Sequence, residues 1–180
     1  MIIRKWMLST AVWALMLICA FAKGQDQPSS EEQARAMIRQ IYKEVSSDGT
    51  VLPDWDSIRS FFVDEAVIVL RTSREGNTQF TLEEFIQDFK DFYQNPALDN
   101  TGFREEVLQL KSHVYHDIAF IAVVYEARIL NADRPPQKGI DFWLLARKED
   151  SWKVVAVSNE IIRPGEDLPP PFDQDASGME

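Results

Sequence analysis

The feature that most constrains this chain is a change of hydrophobic period near residue 100. Before it, apolar residues recur at helical steps: Ala34, Met37, Ile38, Ile41, Tyr42 and Val45 form one face. Ser29-Ser30-Glu31-Glu32 has the capping-box pattern that starts such a helix, and Asp48-Gly49 stops it. Pro53-Asp54 opens a second, short helix whose apolar set is Trp55, Ile58, Phe61 and Phe62. Residues 66–70 (AVIVL) read as a brief buried strand, and 71–77 as a turn-rich loop. Thr81-Leu82-Glu83-Glu84 is a second capping box, with Phe85, Ile86, Phe89, Phe92 and Tyr93 on one side of its helix and Asn95-Pro96 at its end.

From Phe103 onward the alternation is that of strands, predicted near 103–115, 118–130, 139–148 and 151–163. The turns fall at His116-Asp117, in the 131–138 loop with its Pro135-Pro136, and at Glu149-Asp150. Helices first and an antiparallel meander after them predict an α+β fold with the sheet packed on one helical layer. Residues 164–180, with Pro169-Pro170-Pro171 and several acidic residues, are expected to form an extended, partly disordered tail.

The first segment reads as a targeting signal. Arg4 and Lys5 precede a charge-free stretch over 6–22, shorter than the ~20 residues of a membrane-spanning helix. Ala20-Phe21-Ala22 matches the small-x-small pattern of signal peptidase, so cleavage is expected after Ala22, leaving 23–29 as a polar leader. The alternatives are an uncleaved anchor, or lipid attachment at Cys19, where Ile18 stands in place of the usual small residue. The chain's single cysteine lies in this segment, so the exported form has no thiol or disulfide chemistry. The expected location is periplasmic or secreted, with no stable membrane anchor after cleavage.

With 29 Asp+Glu against 19 Lys+Arg, the chain carries a formal charge of −10. Binding to a phosphate backbone draws on clustered Lys and Arg, so no nucleic-acid partner is expected. No metal site is expected either: His113 and His116 have the wrong spacing for one strand face, and no cysteine can assist. No phosphate-binding glycine loop and no Gly-x-Ser-x-Gly elbow occurs, and no cofactor is expected.

Four segments carry a resemblance. WDSIRSFFVDEAVIVL over 55–70 looks like a second helix running into an "Asp-x-Ala-hydrophobic" first strand, and Thr81-Leu82-Glu83-Glu84-Phe85 looks like the helix that follows. VYHDIAFI over 114–121 looks like a tight hairpin, and WKVVAVS over 152–158 like a closing strand. In this order they resemble the nuclear transport factor 2-like superfamily and its SnoaL-like group, over about 30–163. The resemblance implies a cystatin-like α+β roll: a cone-shaped, curved antiparallel sheet around about three N-terminal helices, with a pocket at the open end. The superfamily includes dehydratases, isomerases, polyketide cyclases and members that only bind, so fold alone does not assign the chemistry. Ketosteroid isomerases place a general-base aspartate at the end of strand one. The matching residue here is Leu70, which cannot accept a proton.

Strand alternation gives the candidate pocket. Ala119, Ile121, Val123, Tyr125 and Ala127 are expected to face inward, as are Leu108, Leu110 and Ser112, and Trp152, Val154, Ala156, Ser158 and Glu160. Glu160 is the candidate acid/base, since a carboxylate on an inner face must be paired, protonated or at a wet mouth. Tyr42, Trp55, Arg71, Tyr125 and Ser158 are the candidate ligand contacts, with Arg71 placed to meet an anionic group at the mouth. Each has a plain structural alternative, as core aromatic, packed tyrosine or solvated loop residue. Ile118, Phe120, Ala122 and Val124, with Val155 and Val157, form an apolar row expected on the outer face and predict a homodimer.

The expected function is therefore an exported domain that binds a small, mostly apolar molecule. The alternatives are a cofactor-independent lyase or isomerase using Glu160, or a dimeric protein-interaction adaptor.

Overall fold

A computed structural model describes residues 28–72, 76–95, 101–169 and Phe172. The signal segment therefore lies outside the described residues, as does most of the tail beyond Pro169. Among the described residues, three helices and six strands follow in the order α1 (Ser30–Glu44), α2 (Trp55–Ser60), β1 (Phe62–Arg71), β2 (Asn77–Phe80), α3 (Leu82–Tyr93), β3 (Phe103–Tyr115), β4 (Ile118–Ile129), β5 (Gln137–Lys148) and β6 (Ser151–Ile162). Both predicted capping boxes form. The Ser29 and Thr81 side chains accept from the backbones of Glu32 and Glu84, whose carboxylates reach back to the cap residues. The last hairpin turns at Glu149 and Asp150, both at positive φ, the pairing a tight two-residue connection requires.

The strands make one curved, unclosed sheet in the order β2-β1-β6-β5-β4-β3. The meander β3 to β6 is antiparallel, but β1 lies parallel to β6, so the sheet is mixed rather than wholly antiparallel. A strand that alternation does not predict, β2, begins at Asn77, the end of the segment read as a loop, and pairs with residues 68–71 of β1. The helices cover the concave face. Ala34, Ile38, Ile41 and Tyr42 of α1, Ile58 of α2, and Phe85 and Ile86 of α3 are buried there against Ile121, Val123, Trp143 and Val154. This one contiguous core accounts for the fold, since each element is apolar on one side only.

Two β-bulges reverse the side-chain parity that strict alternation predicts. In β6, Leu144 pairs with Ala156 and Leu145 with Val154, so Val155 is the extra residue. Before it Trp152 and Val154 face the core; after it Val157, Asn159 and Ile161 do, and Ala156, Ser158 and Glu160 turn outward. Val157 accordingly belongs to the core and not to the outer row. In β3, Leu108 has no partner between the Val107–Tyr125 and Gln109–Val124 pairs, and it is exposed rather than inward. On the other side of that bulge the inner positions become Phe103, Glu105 and Val107. In β4, which has no bulge, the inner face is as predicted.

The convex face is divided. Phe172 folds back onto Ala122, Val124 and Ile140, with Ile162 and Leu168 beside it, so part of the tail is packed. Ile118, Phe120, Phe142 and Leu144 stay exposed, and the rings of Phe120 and Phe142 stack at 5.6 Å between centroids.

Candidate functional site at the open end of the cone

A cavity of about 460 Å³ opens between α3 and the ends of β1, β3, β4 and β6. One wall is aromatic: Phe89 and Phe92 from α3 and Phe103 from β3. These residues are where they are because the capping box at Thr81 fixes the start of α3, and helical spacing then turns both phenylalanines to the sheet. Polar groups in the same lining are Glu105 of β3, Tyr125 of β4 and Asn159 of β6. Leu70 also lines the cavity.

Asn159 orders these polar groups. Its Oδ1 accepts the backbone N–H of Arg71 at 2.6 Å, which leaves Nδ2 to donate to the Tyr125 hydroxyl at 3.0 Å. Because Tyr125 accepts that bond, its own proton is available to the cavity, and it finds no acceptor among the described residues. Gly139 lies opposite Tyr125 in the β4–β5 ladder, and a Cβ there would overlap the phenol ring. A glycine at this position is what lets Tyr125 lie across its neighbour.

Behind these groups sits Asp141, only 7% exposed, cross-strand from Asn159. The Tyr42 hydroxyl donates to its Oδ2, and Trp143 Nε1 donates to the Tyr42 oxygen at 3.4 Å. The Tyr42 and Tyr125 rings are 5.9 Å apart, so the two phenols belong to one cluster. Burial pushes the Asp141 carboxyl up to about 7, against the opposing effect of the Tyr42 hydrogen bond. Burial, reinforced by the charge on Asp141, pushes Glu105 up to about 8. Both tyrosines are held well above the ordinary phenol range, chiefly by burial and then by Asp141. At neutral pH the cluster is thus a set of hydrogen-bond donors with protons close to balance, suited to holding an oxygen and to exchanging a proton with it.

The residues singled out from the sequence divide clearly. Tyr42 and Tyr125 are part of the cluster, the first as the partner of Asp141 and the second on the cavity wall. Arg71 borders the cavity, but its guanidinium pairs with Glu160 at 2.7 Å. Glu160 is exposed on the outer face, and the Arg71 hydrogen bond lowers its pKa. The expected buried carboxylate acid/base at Glu160 is corrected on both counts, and the cause is the bulge at Val155. The same bulge turns Ser158 outward, opposite exposed Phe142, and removes it from the site. Trp55 does not reach the cavity; it packs on Phe89 and Tyr93 behind the aromatic wall. Sequence reasoning missed Glu105, Asp141 and Asn159. Asp141 had a readable signal, a lone carboxylate between Ile140 and Phe142 in an apolar strand.

No protein-family model matches the chain, and no functionally curated protein matches it either. Solved structures do. A nuclear transport factor 2-like protein of unknown function from Pseudomonas putida KT2440 superposes with a TM-score of 0.59 at 14% identity, over 78% of this chain and 96% of that one. An uncharacterized protein with a cystatin-like fold from Caulobacter vibrioides gives 0.56 at 13% identity, over 73% and 89%. A candidate scytalone dehydratase from Novosphingobium aromaticivorans gives 0.56 at 11% identity, over 73% and 83%. The mixed curved sheet, the three helices against its concave face and the cavity at its open end thus make up the nuclear transport factor 2-like, cystatin-like α+β fold.

Proposed function

We propose that the protein binds a small, largely apolar molecule in the cone cavity and hydrogen-bonds one oxygen of it through Tyr125 and Glu105. The observation that carries this reading is the mixed lining. Phe89, Phe92 and Phe103 share a cavity of about 460 Å³ with Glu105, Tyr125 and Asn159, the size and mixture of a small-molecule site. The donor character of Tyr125 and the raised pKa of Glu105 favour a carbonyl or hydroxyl oxygen as the bound group. The candidate scytalone dehydratase of the same fold is in keeping with an oxygenated ligand. Displacement of an environment-sensitive apolar dye tests the reading. The wild type should bind the dye saturably, and Ala127→Trp, which fills the cavity from its β4 wall, should not. Equal binding by both proteins overturns it.

A second reading is favoured by one observation, the two raised carboxyls on the inner face. On it the site is a cofactor-independent lyase or isomerase in which Glu105 exchanges a proton with substrate and Asp141 sets its pKa. Loss of turnover in Glu105→Gln with dye binding retained would separate this reading from simple binding.

We also propose export and self-association. Export rests on Arg4, Lys5, the charge-free 6–22 stretch and Ala20-Phe21-Ala22, and the exported protein should begin at Lys23. Self-association rests on the exposed row of Ile118, Phe120, Phe142 and Leu144 on the convex face.

A further inference from the structure

We propose that the groove between α1 and β3 is a second binding site, built for an oxyanion: the carboxylate or phosphate group of a small organic ligand. The groove holds about 440 Å³, with Arg39, Tyr42 and Lys43 of α1 on one side and Arg104, Glu106 and Val107 of β3 on the other. Three cations line it in a chain where acidic residues outnumber basic ones by 29 to 19. With carboxylates in that excess, most arginines elsewhere find partners: Arg59 meets Glu83, Arg71 meets Glu160, Arg128 meets Glu126 and Arg147 meets Asp117, whereas Arg134 and lysines such as Lys138 and Lys148 make no ion pair among the described residues. Arg39 and Lys43 make no ion pair among the described residues. Arg104 reaches Glu106 only at 3.8 Å, with both side chains about half exposed.

Arg39 and Lys43 stand four residues apart on α1, where like charges repel. The negative end of the helix accounts for a cation at Lys43, in its last turn. It does not account for Arg39 a turn earlier. An oxyanion in the groove gives Arg39 and Lys43 a counter-charge beside Arg104, which already has Glu106 and Asp48 near it, and guanidinium groups provide the planar fork that carboxylate and phosphate oxygens fit. Two carboxylates, Glu105 and Glu106, also line the groove, and burial pushes Glu105 up to about 8, which lessens its charge there.

The test is a titration of the ¹⁵N-labelled full chain at neutral pH with inorganic phosphate and, separately, with benzoate. Saturable shifts are expected for amides of 39–46 and 104–107, and they should weaken as sodium chloride is added. The Arg39→Gln/Lys43→Gln double variant should lose roughly tenfold or more in affinity, with the rest of its spectrum unchanged. Saturation by phosphate alone assigns a phosphate-bearing ligand, by benzoate alone a carboxylate, and by both an oxyanion site that accepts either. Unsaturable shifts, or equal affinity in the double variant, overturn the proposal. So does loss of these shifts in Ala127→Trp, because the anion would then occupy the cone cavity.

Discussion

Tyr42 gives its hydroxyl proton to Oδ2 of Asp141, while Oδ1 of the same carboxyl is buried with no partner. One hydrogen bond across the helix–sheet interface therefore holds a buried acid. Tyr42→Phe removes it and strands the carboxyl, which should cost about 1–3 kcal/mol in urea unfolding at neutral pH. It should also raise the Asp141 pKa further, since the Tyr42 bond is what holds it down. Asp141→Asn keeps an acceptor for Tyr42 and removes the charge, so it should cost less than Tyr42→Phe at pH 8. The reverse ranking would mean that the Asp141 carboxylate is compensated in some other way.

The same carboxyls predict the pH dependence of stability. Asp141 and Glu105 titrate at about 7 and about 8 in the folded protein, above their ordinary values of 3.8 and 4.5. Between those limits the folded state holds protons that the unfolded chain has released. The contribution of these two groups to stability is therefore fully present below the unfolded values, falls as pH rises through the window, and is lost above about pH 8. Thermal melts from pH 5 to 9 should show this decline for the wild type. The Asp141→Asn/Glu105→Gln double variant should flatten it by more than about 1 kcal/mol. An unchanged slope in the double variant would place the titrating groups elsewhere.

Two alanines on one strand separate cavity from core. Ala127 lines the open cavity, whereas Ala119 is only 2% exposed and lies within the hydrophobic cluster. Ala127→Trp adds bulk to empty space and should leave the melting temperature nearly unchanged. Ala119→Trp overpacks a filled core and should cost ~1–3 kcal/mol or more. Equal losses at the two sites would mean that the cavity is closed in solution.

The fold was legible because its signals are local. The capping boxes at Ser29 and Thr81, the helical stripes of α1 and α3 and the turn at Glu149-Asp150 each depend on a few neighbouring residues, and each forms as read, whereas Phe62, read with the second helix, opens β1. Besides Tyr42 of α1 and Arg71 of β1, the site was legible only on the bulge-free strand β4, which supplies Tyr125 and Ala127. A bulge adds one residue and reverses every side chain beyond it, and nothing in VVAVS marks Val155 as the extra one. So Glu160 and Ser158 were read inward, Asn159 was overlooked, and the bulge at Leu108 hid Glu105 in the same way. The parallel pairing of β1 with β6 depends on contacts far apart in sequence, which periodicity does not report.

The last prediction concerns the convex face, which the tail and an exposed aromatic pair divide. Phe172 is 3% exposed over Ala122, Val124 and Ile140, while Phe120 and Phe142 are each 42% exposed beside them. An uncovered apolar row next to a covered one is the arrangement expected if a second copy completes the cover. The wild type should then sediment as a dimer and Phe120→Glu as a folded monomer. Phe172→Ala should cost about 2 kcal/mol for the lost burial. It should also strengthen association, because Ala122, Val124 and Ile140 then join the exposed row. A wild type that sediments as a monomer at all concentrations, with Phe120→Glu no different, would mean that the tail alone is sufficient to cover this face.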